Sequence, residues 1–276
     1  MFEIMDKRTI GPGIILMKVK APLVAGKAMP GQFIMLRVSE EGERIPLTIA
    51  DYDREEGSIS IIFQEVGYTT RDLGMLGVGD SIRDFAGPLG KASKLDNHGR
   101  VLCVGGGVGI APLFPQIKYL NSRGTDVDVI IGARNSDCLI LVDEIKACSS
   151  NVYVATDDGS SGHEGFVTDV VKRLIDEGNR YDLVIAVGPL IMMKIVSSIT
   201  KEYNIPTTVS LNPIMVDGTG MCGGCRVTVG GKVFYACVDG PDFDGHLVDF
   251  DEAIRRQQMY KEEEKVEHSC RLLPNE

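Results

Sequence analysis

Three cysteines lie close together in the segment VDGTGMCGGCRVTVGGKVFYAC, at Cys222, Cys225 and Cys237. Three thiols cannot all pair as disulfides, whereas a structural zinc ion or an iron–sulfur cluster usually takes four ligands. The segment therefore either supplies a fourth ligand of another kind or is not a metal site.

The spacing points to that fourth ligand. Plant-type [2Fe–2S] sites place their first three cysteines as C-x4-C-x2-C, with the fourth farther along the chain. Cys222 and Cys225 supply the x2 step, Cys237 follows, and the position four intervening residues before Cys222 is Asp217. The spacing predicts a [2Fe–2S] site with mixed ligation, in which the harder carboxylate oxygen of Asp217 tunes the reduction potential.

Two other interpretations of the cysteines stay open at this point. A zinc ion held by three cysteines and an aspartate is one, although zinc sites more often combine cysteine with histidine and no histidine lies within the module. A dithiol formed by Cys222 and Cys225 is the other, and it leaves Cys237 unexplained.

A glycine-rich stretch, CVGGGVGIAPL, spans Cys103 to Leu113 between an apolar strand and a helix. Glycines at such a junction let the backbone approach a pyrophosphate, which also sits at the positive end of the helix. The stretch departs from the G-x-G-x-x-G fingerprint, because Pro112 stands where the third glycine would be. A tight turn without a ligand is the alternative. The residues predicted to bind a dinucleotide here are Gly105, Gly106, Gly107, Val108 and Gly109.

Two further strand ends carry polar or small residues. In ATDDGSSG, Asp157 or Asp158 is predicted to bind ribose hydroxyls, with a polar turn as the alternative. In AVGPLIMMK, the turn at Gly188 and Pro189 follows what is predicted to be the last parallel strand, where a nicotinamide would enter. The methionine pair of this segment is interpreted as packing.

The N-terminal part contains two weaker motifs. RIPLTIAD places Arg44 and Thr48 on one face of a strand, where they could hold a phosphate and a ring nitrogen. EVGYTTRDL offers Gly67, Thr69 and Thr70 as an anion-binding nest. An ordinary strand and a capped helix start are the respective alternatives.

Three structural parts are predicted to position these residues. Short strands punctuated by glycine and proline predict an antiparallel β-barrel over residues 1–97, and alternating strands and helices predict a parallel α/β sheet over 98–211. Residues 212–245 form a cysteine module with little room for a core, which suggests that a metal stabilises it. A C-terminal helix and tail, 246–276, include the acidic run KEEEK.

Composition excludes several classes of function. With 29 basic and 39 acidic residues the net charge is −10, which argues against a broad nucleic-acid-binding face. No apolar run is long enough to span a membrane, and the N-terminus lacks the pattern of a signal peptide. Seven cysteines do not form a disulfide framework in a chain of this length, so a reducing cytoplasm is expected.

Taken in order, MPGQF, RIPLT, GYTT, GDSIRDFAGPLG and GGGVGIAPL resemble the ferredoxin-reductase superfamily over nearly the first two hundred residues. The resemblance implies an FAD-binding β-barrel followed by a pyridine-nucleotide domain. It also implies contacts to FAD from the RIPLT segment, with Thr48 near the flavin N5, and from the GYTT segment, and to NAD from the glycine-rich loop. The FAD residues so implied are Arg44, Pro46, Leu47, Thr48, Gly67, Thr69 and Thr70.

Within that superfamily, a C-terminal [2Fe–2S] module resembles the electron-transfer subunit of dihydroorotate dehydrogenase, which carries four cysteines rather than three. The wording SLNPIMVDGTGMCGGC and the acidic extension are most similar to small subunits of electron-bifurcating NADH-dependent ferredoxin:NADP oxidoreductases. That resemblance implies a heterodimer with a larger subunit that carries a second FAD and [4Fe–4S] clusters. It also implies that hydride passes between NAD(H) and FAD, and single electrons through the cluster.

Two other functions remain as alternatives, namely the electron-transfer subunit of a dihydroorotate or sulfide dehydrogenase and a non-catalytic FAD-binding redox sensor. NAD is preferred over NADP because Asp157 and Asp158 would repel a 2′-phosphate, although Arg134 is available to pair with one.

Overall fold

The computed structural model of the chain describes residues 1–96 and 98–259. The acidic run 261–265, predicted as part of the terminal helix, and Cys270 lie outside the described residues. Among the described residues, no helix combines the length and apolar character needed to cross a membrane.

The N-terminal part folds into an antiparallel seven-stranded sheet in the order β6-β1-β2-β5-β4-β3-β7. Its two edge strands, β6 and β7, are separated in sequence only by Arg83, so the sheet curls round and nearly closes as a barrel. The strands are β1 (Phe2–Gly11), β2 (Ile14–Lys20), β3 (Phe33–Arg37), β4 (Arg44–Asp53), β5 (Ser58–Gln64), β6 (Ser81–Ile82) and β7 (Asp84–Leu89), and two helices, α1 (Pro22–Ala25) and α2 (Tyr68–Met75), accompany them.

Alternation along β5 shows how the sequence builds this barrel. Ile59, Ile61 and Phe63 point to one side and are almost completely buried in the barrel interior. Ile62 points to the other side and joins the core beneath the second sheet. This one strand therefore contributes both to the barrel interior and to the core beneath the second sheet.

The second sheet has the order β11-β10-β9-β8-β12-β13-β16. Every neighbouring pair is parallel except β13 and β16, which are antiparallel. The strands are β8 (Arg100–Gly106), β9 (Asp126–Ala133), β10 (Asn151–Thr156), β11 (His163–Glu164), β12 (Leu183–Val187), β13 (Thr207–Ser210) and β16 (Asp242–Asp244), and the helices are α3 (Ile110–Ser122), α4 (Val142–Lys146), α5 (Val167–Asp176) and α6 (Leu190–Glu202).

This sheet is covered on both faces, as the continuous apolar strands predict. Residues Val101–Val104 of β8 are fully buried, with Leu102 and Val104 in one core cluster and Val101 and Cys103 in the other. The prediction that β12 is the last parallel strand was wrong, because α6 leads into a further one, β13. Its sequence TTVS is short and has only one apolar residue, so the apolar pattern that marked the other strands is missing.

The cysteine-rich part packs against both the barrel and the second sheet. It contributes a hairpin of β14 (Arg226–Val229) and β15 (Lys232–Tyr235), a short helix α7 (Ala236–Asp239) and the edge strand β16. Four of its buried residues, Met215, Cys225, Ala236 and Cys237, form one cluster with Phe33 and Met35 of the barrel strand β3, while those of β14 join a core cluster of the second sheet. The sequence predicted that this part has little room for a core of its own, and in the structure its buried cysteines share a core with the barrel strand β3. The last described helix is α8 (Phe250–Gln257).

Candidate cofactor sites

A cleft of about 920 Å³ opens between the barrel and the carboxyl ends of the parallel strands. It lies where β8 and β12 are neighbours and the chain leaves them toward opposite sides of the sheet, which is the usual ligand site of such sheets. Many of the residues that the sequence predicts for cofactor binding line it. These are Pro46, Leu47, Thr48, Thr70, Gly106, Gly107, Val108, Gly109, Asp157, Gly188 and Pro189.

Other predicted residues lie outside the lining of the cleft. Arg44 is exposed at the start of β4, opposite Arg37 of β3. Thr69 is buried and donates its hydroxyl hydrogen bond to the Glu43 carboxylate at 3.2 Å. Gly67 and Gly105 flank lining residues without lining the cleft themselves.

The two neighbouring aspartates have different surroundings. Asp157 lines the cleft, whereas the Asp158 carboxylate accepts hydrogen bonds from the Ser160 hydroxyl at 2.6 Å and the Ser160 N–H at 3.0 Å. These bonds, with the hydroxyl contributing most, lower the pKa of Asp158. The contacts of Asp158 are those of a polar turn, and only Asp157 faces the space that a nucleotide would occupy.

Close packing of two strand ends explains the glycines of the loop. A Cβ atom on Gly109 would lie 2.4 Å from the backbone oxygen of Val187, and one on Gly106 would lie 2.6 Å from the sulfur of Met192. The turns that follow β8 and β12 therefore touch through backbone atoms. The floor of the cleft at this point is formed by peptide groups and by the N-terminus of α3, which favour a phosphate.

Several lining residues were not predicted from the sequence. They come from β3, from the end of β5, from the N-cap of α5, from α6, from the segment after β13 and from the end of α8, and they include Phe33, Gln64, Phe166, Ile191, Met192, Ile195, Asn212, Met215 and Gln257. Helical spacing could have identified part of this set: Met193 is fully buried, so its neighbour Met192 must point elsewhere, on the same side as Ile195. The interpretation of the methionine pair as packing fits Met193, while Met192 lines the cleft.

The four predicted cluster ligands are arranged as two pairs. The sulfur atoms of Cys225 and Cys237 are 3.2 Å apart, and each residue is 1% exposed. The Asp217 carboxylate accepts hydrogen bonds from the N–H groups of Thr219 and Cys222, both at 2.9 Å. These bonds lower the pKa of Asp217, that of Thr219 most strongly, and the Cys222 thiol adds a further one.

Ligands arranged as two separate pairs fit two metal atoms better than a single metal atom. Among residues 1–96 and 98–259, no three or more histidine, cysteine or acidic side chains form a group around one point. The Cys225–Cys237 separation of 3.2 Å is too long for a disulfide. It is close to the separation of about 3.8 Å expected for two thiolates on one tetrahedral metal. The donor set therefore fits a two-iron cluster, with a cysteine pair at one end and a mixed pair at the other.

Backbone amides surround the sulfur atoms. Gly224 N–H donates to the sulfur of Cys222 at 3.4 Å, and Cys237 N–H donates to that of Cys225 at 3.5 Å. Burial raises the pKa of Cys237 to about 12, with the adjacent Cys225 adding to the effect and the N–H of Gly220 opposing it. Amide bonds to sulfur are one of the means by which proteins set the potential of such clusters.

A single apolar layer separates the cleft from the buried cysteine pair. Phe33 and Met215 line the cleft and also belong to the core cluster that contains Cys225 and Cys237. The wall of the cleft and the surroundings of the cysteine pair therefore share these two side chains.

Barrel, parallel sheet and cysteine module together define a class, the reductases with a ferredoxin-reductase-like fold. Phthalate dioxygenase reductase, described as transferring electrons from pyridine nucleotides to [2Fe–2S], has this fold at a TM-score of 0.62 and 16% identity, covering 83% of this chain and 85% of that one. A family model of the oxidoreductase NAD-binding domain matches residues 103–198. A model of the iron–sulfur cluster binding domain of dihydroorotate dehydrogenase B matches residues 212–249.

The chain belongs to the family of dihydroorotate dehydrogenase B electron-transfer subunits. It is 48% identical to the homolog of that subunit in Thermotoga maritima, covering 96% of this chain and 94% of the relative. It is 35% identical to the subunit of Fusobacterium nucleatum, covering 82% and 88%. A solved chain of NADH-dependent reduced ferredoxin-NADP oxidoreductase, studied for flavin-based electron bifurcation, is 47% identical with a TM-score of 0.92, covering 98% of both chains.

Proposed function

We propose that this chain is the electron-transfer subunit of an electron-bifurcating, NADH-dependent ferredoxin:NADP oxidoreductase, with FAD, NAD(H) and a [2Fe–2S] cluster as its cofactors. The observation that carries the proposal is the layer of Phe33 and Met215, which joins a nucleotide-sized cleft to a buried cysteine pair. The 47% identity and TM-score of 0.92 to the solved oxidoreductase chain support it.

FAD supplies the conversion between the two-electron chemistry of nicotinamide and the one-electron chemistry of a cluster. The barrel residues Pro46, Leu47 and Thr48, which line the cleft, would hold the flavin, with Thr48 near N5. Arg44 and the segment from Gly67 to Thr70 are assigned to the FAD phosphates. Of these, Thr70 lines the cleft, whereas Arg44 is exposed and lies outside the lining.

NAD(H) is assigned to the opposite wall. The peptide groups of Gly105–Gly109 bind the pyrophosphate, and Asp157 accepts hydrogen bonds from ribose hydroxyls. Gly188 and Pro189 leave room for the nicotinamide to reach the flavin. No side chain serves as an acid or base in this scheme, because the protein orients two rings and excludes water between them.

The cluster ligands are Asp217, Cys222, Cys225 and Cys237. The contacts described above, which bring Cys225 next to Cys237 and Asp217 next to Cys222, support these four side chains as the residues that would hold the cluster. Because Cys237 comes from a different segment than Asp217, Cys222 and Cys225, the cluster would join two parts of a module that shares its core with the barrel.

The variant Asp217→Cys tests the ligand assignment. A thiolate donates more electron density to iron than a carboxylate, so the variant should keep a [2Fe–2S] cluster and show a lower midpoint potential. Potentiometric titration followed by electron paramagnetic resonance measures this. An unchanged potential would show that Asp217 does not ligate the cluster.

We further propose a division of the chain into an FAD-binding barrel (1–97), an NAD-binding domain (98–211), a cluster module (212–245) and a C-terminal helix and tail (246–276). A cytoplasmic location is part of the proposal, since the described cysteines are all free and a reducing compartment keeps them so.

The relatives are named as subunits, so a partner subunit is expected. We propose a larger subunit that carries a second flavin and [4Fe–4S] clusters. Copurification from native cells distinguishes it from the alternatives: a dihydroorotate-oxidising or sulfide-oxidising partner would point to those dehydrogenases instead. Bleaching of the flavin absorbance by NADH separates all of these enzymes from a redox sensor without turnover.

A further inference from the structure

Two arginines hold the turn between the predicted ligands Cys222 and Cys225. Arg256 donates from Nη2 to the carbonyl oxygen of Gly224 at 3.0 Å, and Arg226 donates from Nη1 to that of Gly223 at 3.5 Å. Both arginines and Cys222 line a second cavity of about 290 Å³ beside the turn. Two positive charges thus lie against the backbone of the loop that would surround the cluster, and that of Arg256 makes the shorter contact.

The peptide unit between Gly223 and Gly224 links one of these charges to a sulfur atom. Its carbonyl oxygen accepts from Arg226, and its N–H donates to the sulfur of Cys222 at 3.4 Å. Hydrogen bonds arranged in series polarise one another, so a cation at the carbonyl strengthens the N–H bond to sulfur. The following peptide unit, which leads into Cys225, has its carbonyl oxygen held by Arg256.

Helix α8 places Arg256 with little freedom. Asp249 caps its first turn through its side chain, and Phe250 is buried in the core cluster beside β14. Asp251 forms an ion pair with Lys194 of α6 at 2.6 Å. The helix is therefore fixed at its start to the strand that follows the cluster loop and to a helix that lines the cleft, and Arg256 projects from its last turn.

We propose that Arg256 is a positioning residue for the cluster: it fixes the Gly224 carbonyl, and its charge raises the reduction potential. The inference rests on the proposed function, because it assumes that the cluster occupies the Asp217–Cys237 site. Reduction adds one negative charge to the cluster, and a nearby cation stabilises that charge by Coulomb attraction. The C-terminal helix then belongs to the redox site, although it contributes no ligand.

The test compares three variants of the full chain, each loaded with iron and sulfide. In Arg256→Gln we expect a lower midpoint potential and a shifted electron paramagnetic resonance spectrum of the reduced cluster. Arg256→Lys retains the charge and should return the potential toward the wild-type value. Arg255→Gln is the matched control, since this neighbouring arginine is exposed, and its variant should keep the wild-type potential and spectrum.

An unchanged potential in Arg256→Gln would overturn the inference, and so would an equal shift in Arg255→Gln, which would indicate a general effect of surface charge. If Arg256→Gln does not retain iron, the iron content of Arg256→Lys decides: wild-type loading supports the role of the charge, and loss equal to that of glutamine overturns it. A wild-type protein without any [2Fe–2S] signal would instead refute the proposed function, so the two failures are distinguishable.

Discussion

At the scale of single residues, the adjacent Asp157 and Asp158 have different roles: the first faces the cleft, and the second stabilises a turn. Asp157 lines the nucleotide cleft together with Arg134, while Ser160 engages the carboxylate of Asp158. A carboxylate near the ribose accepts its 2′-hydroxyl but repels a 2′-phosphate, and an arginine has the opposite preference. Cofactor choice should therefore depend on the first aspartate and not on the second.

We predict that Asp157→Asn raises kcat/KM for NADPH relative to NADH by about tenfold, which corresponds to about 1.4 kcal/mol. The reason is that Arg134 remains in the cleft to pair with the 2′-phosphate once the repelling charge is gone. Rates of flavin reduction with the two nucleotides measure the ratio. Asp158→Asn removes the same charge one residue away and should leave the ratio unchanged; an equal change in both variants would contradict the assignment.

The residues that could be identified from the sequence are those whose roles are local. The glycines after β8 and the strand residue Thr48 each carry a pattern within about ten residues, and the predicted cluster ligands lie within the one segment 217–237, so their positions in the cleft or module were predictable. Met215 and Arg256 carry no such pattern. Their contacts, with the cluster around the barrel strand β3 and with the Gly224 carbonyl, arise only when distant segments pack together.

At the scale of elements, the site depends on how closely the turns after β8 and β12 approach each other. Gly109 has an ordinary helical φ of −61°, which any residue can adopt, but a Cβ there would lie 2.4 Å from the Val187 oxygen. Gly107 is the reverse case: its φ is +57°, and a Cβ would meet nothing within 4 Å. The same loop thus needs glycine for two separate physical reasons.

We predict that Gly109→Ala is much more damaging than Gly107→Ala. The first variant must push two backbone segments apart, at a cost of about 3 kcal/mol, whereas the second bears only left-handed strain of about 1–2 kcal/mol. Thermal unfolding measures the stability difference. NADH-dependent flavin reduction should fall more in Gly109→Ala, because the proposed function places the nicotinamide beside these two βα turns. Equal stability of the two variants would contradict this view of the loop.

Element types could be predicted from the sequence where the apolar pattern was long. The prediction failed where the pattern was short. The barrel and the strands β8, β9 and β12 follow from their runs of buried residues. Strand β13, with the sequence TTVS, and strand β16, with DFD, are too short and too polar to show a period. Both owe their conformation to pairing at the edge of an existing sheet, which is a tertiary effect.

At the scale of the whole molecule, Asp242 lies where the three parts meet. It is on β16, paired in register with Ser210 of β13, and its carboxylate accepts the hydroxyl hydrogen bond of Ser93, which follows the barrel, at 2.5 Å. One carboxylate oxygen is buried without a partner among the described residues. Burial raises the pKa of Asp242, and the hydroxyls of Ser93 and Ser210 oppose it only in part.

This shift makes stability depend on pH in a direction opposite to that of most carboxylates. Because the pKa of Asp242 is higher in the folded than in the unfolded chain, the folded state binds the proton more tightly. The wild-type protein should therefore lose stability as pH rises from the unfolded value near 3.8 through the folded pKa. Each unit by which burial raises that pKa costs about 1.4 kcal/mol at higher pH.

We predict that Asp242→Asn, which stays neutral, does not show this loss. The difference in Tm, variant minus wild type, should grow from pH 4 upward and become constant above the folded pKa, as measured by thermal unfolding in a pH series. Asp244→Asn is the matched control, because its carboxylate lies at the surface of the same strand and its removal should leave the wild-type pH dependence in place. Parallel curves for wild type and Asp242→Asn would contradict this prediction. They would mean that Asp242 binds its proton no more tightly in the folded chain than in the unfolded chain.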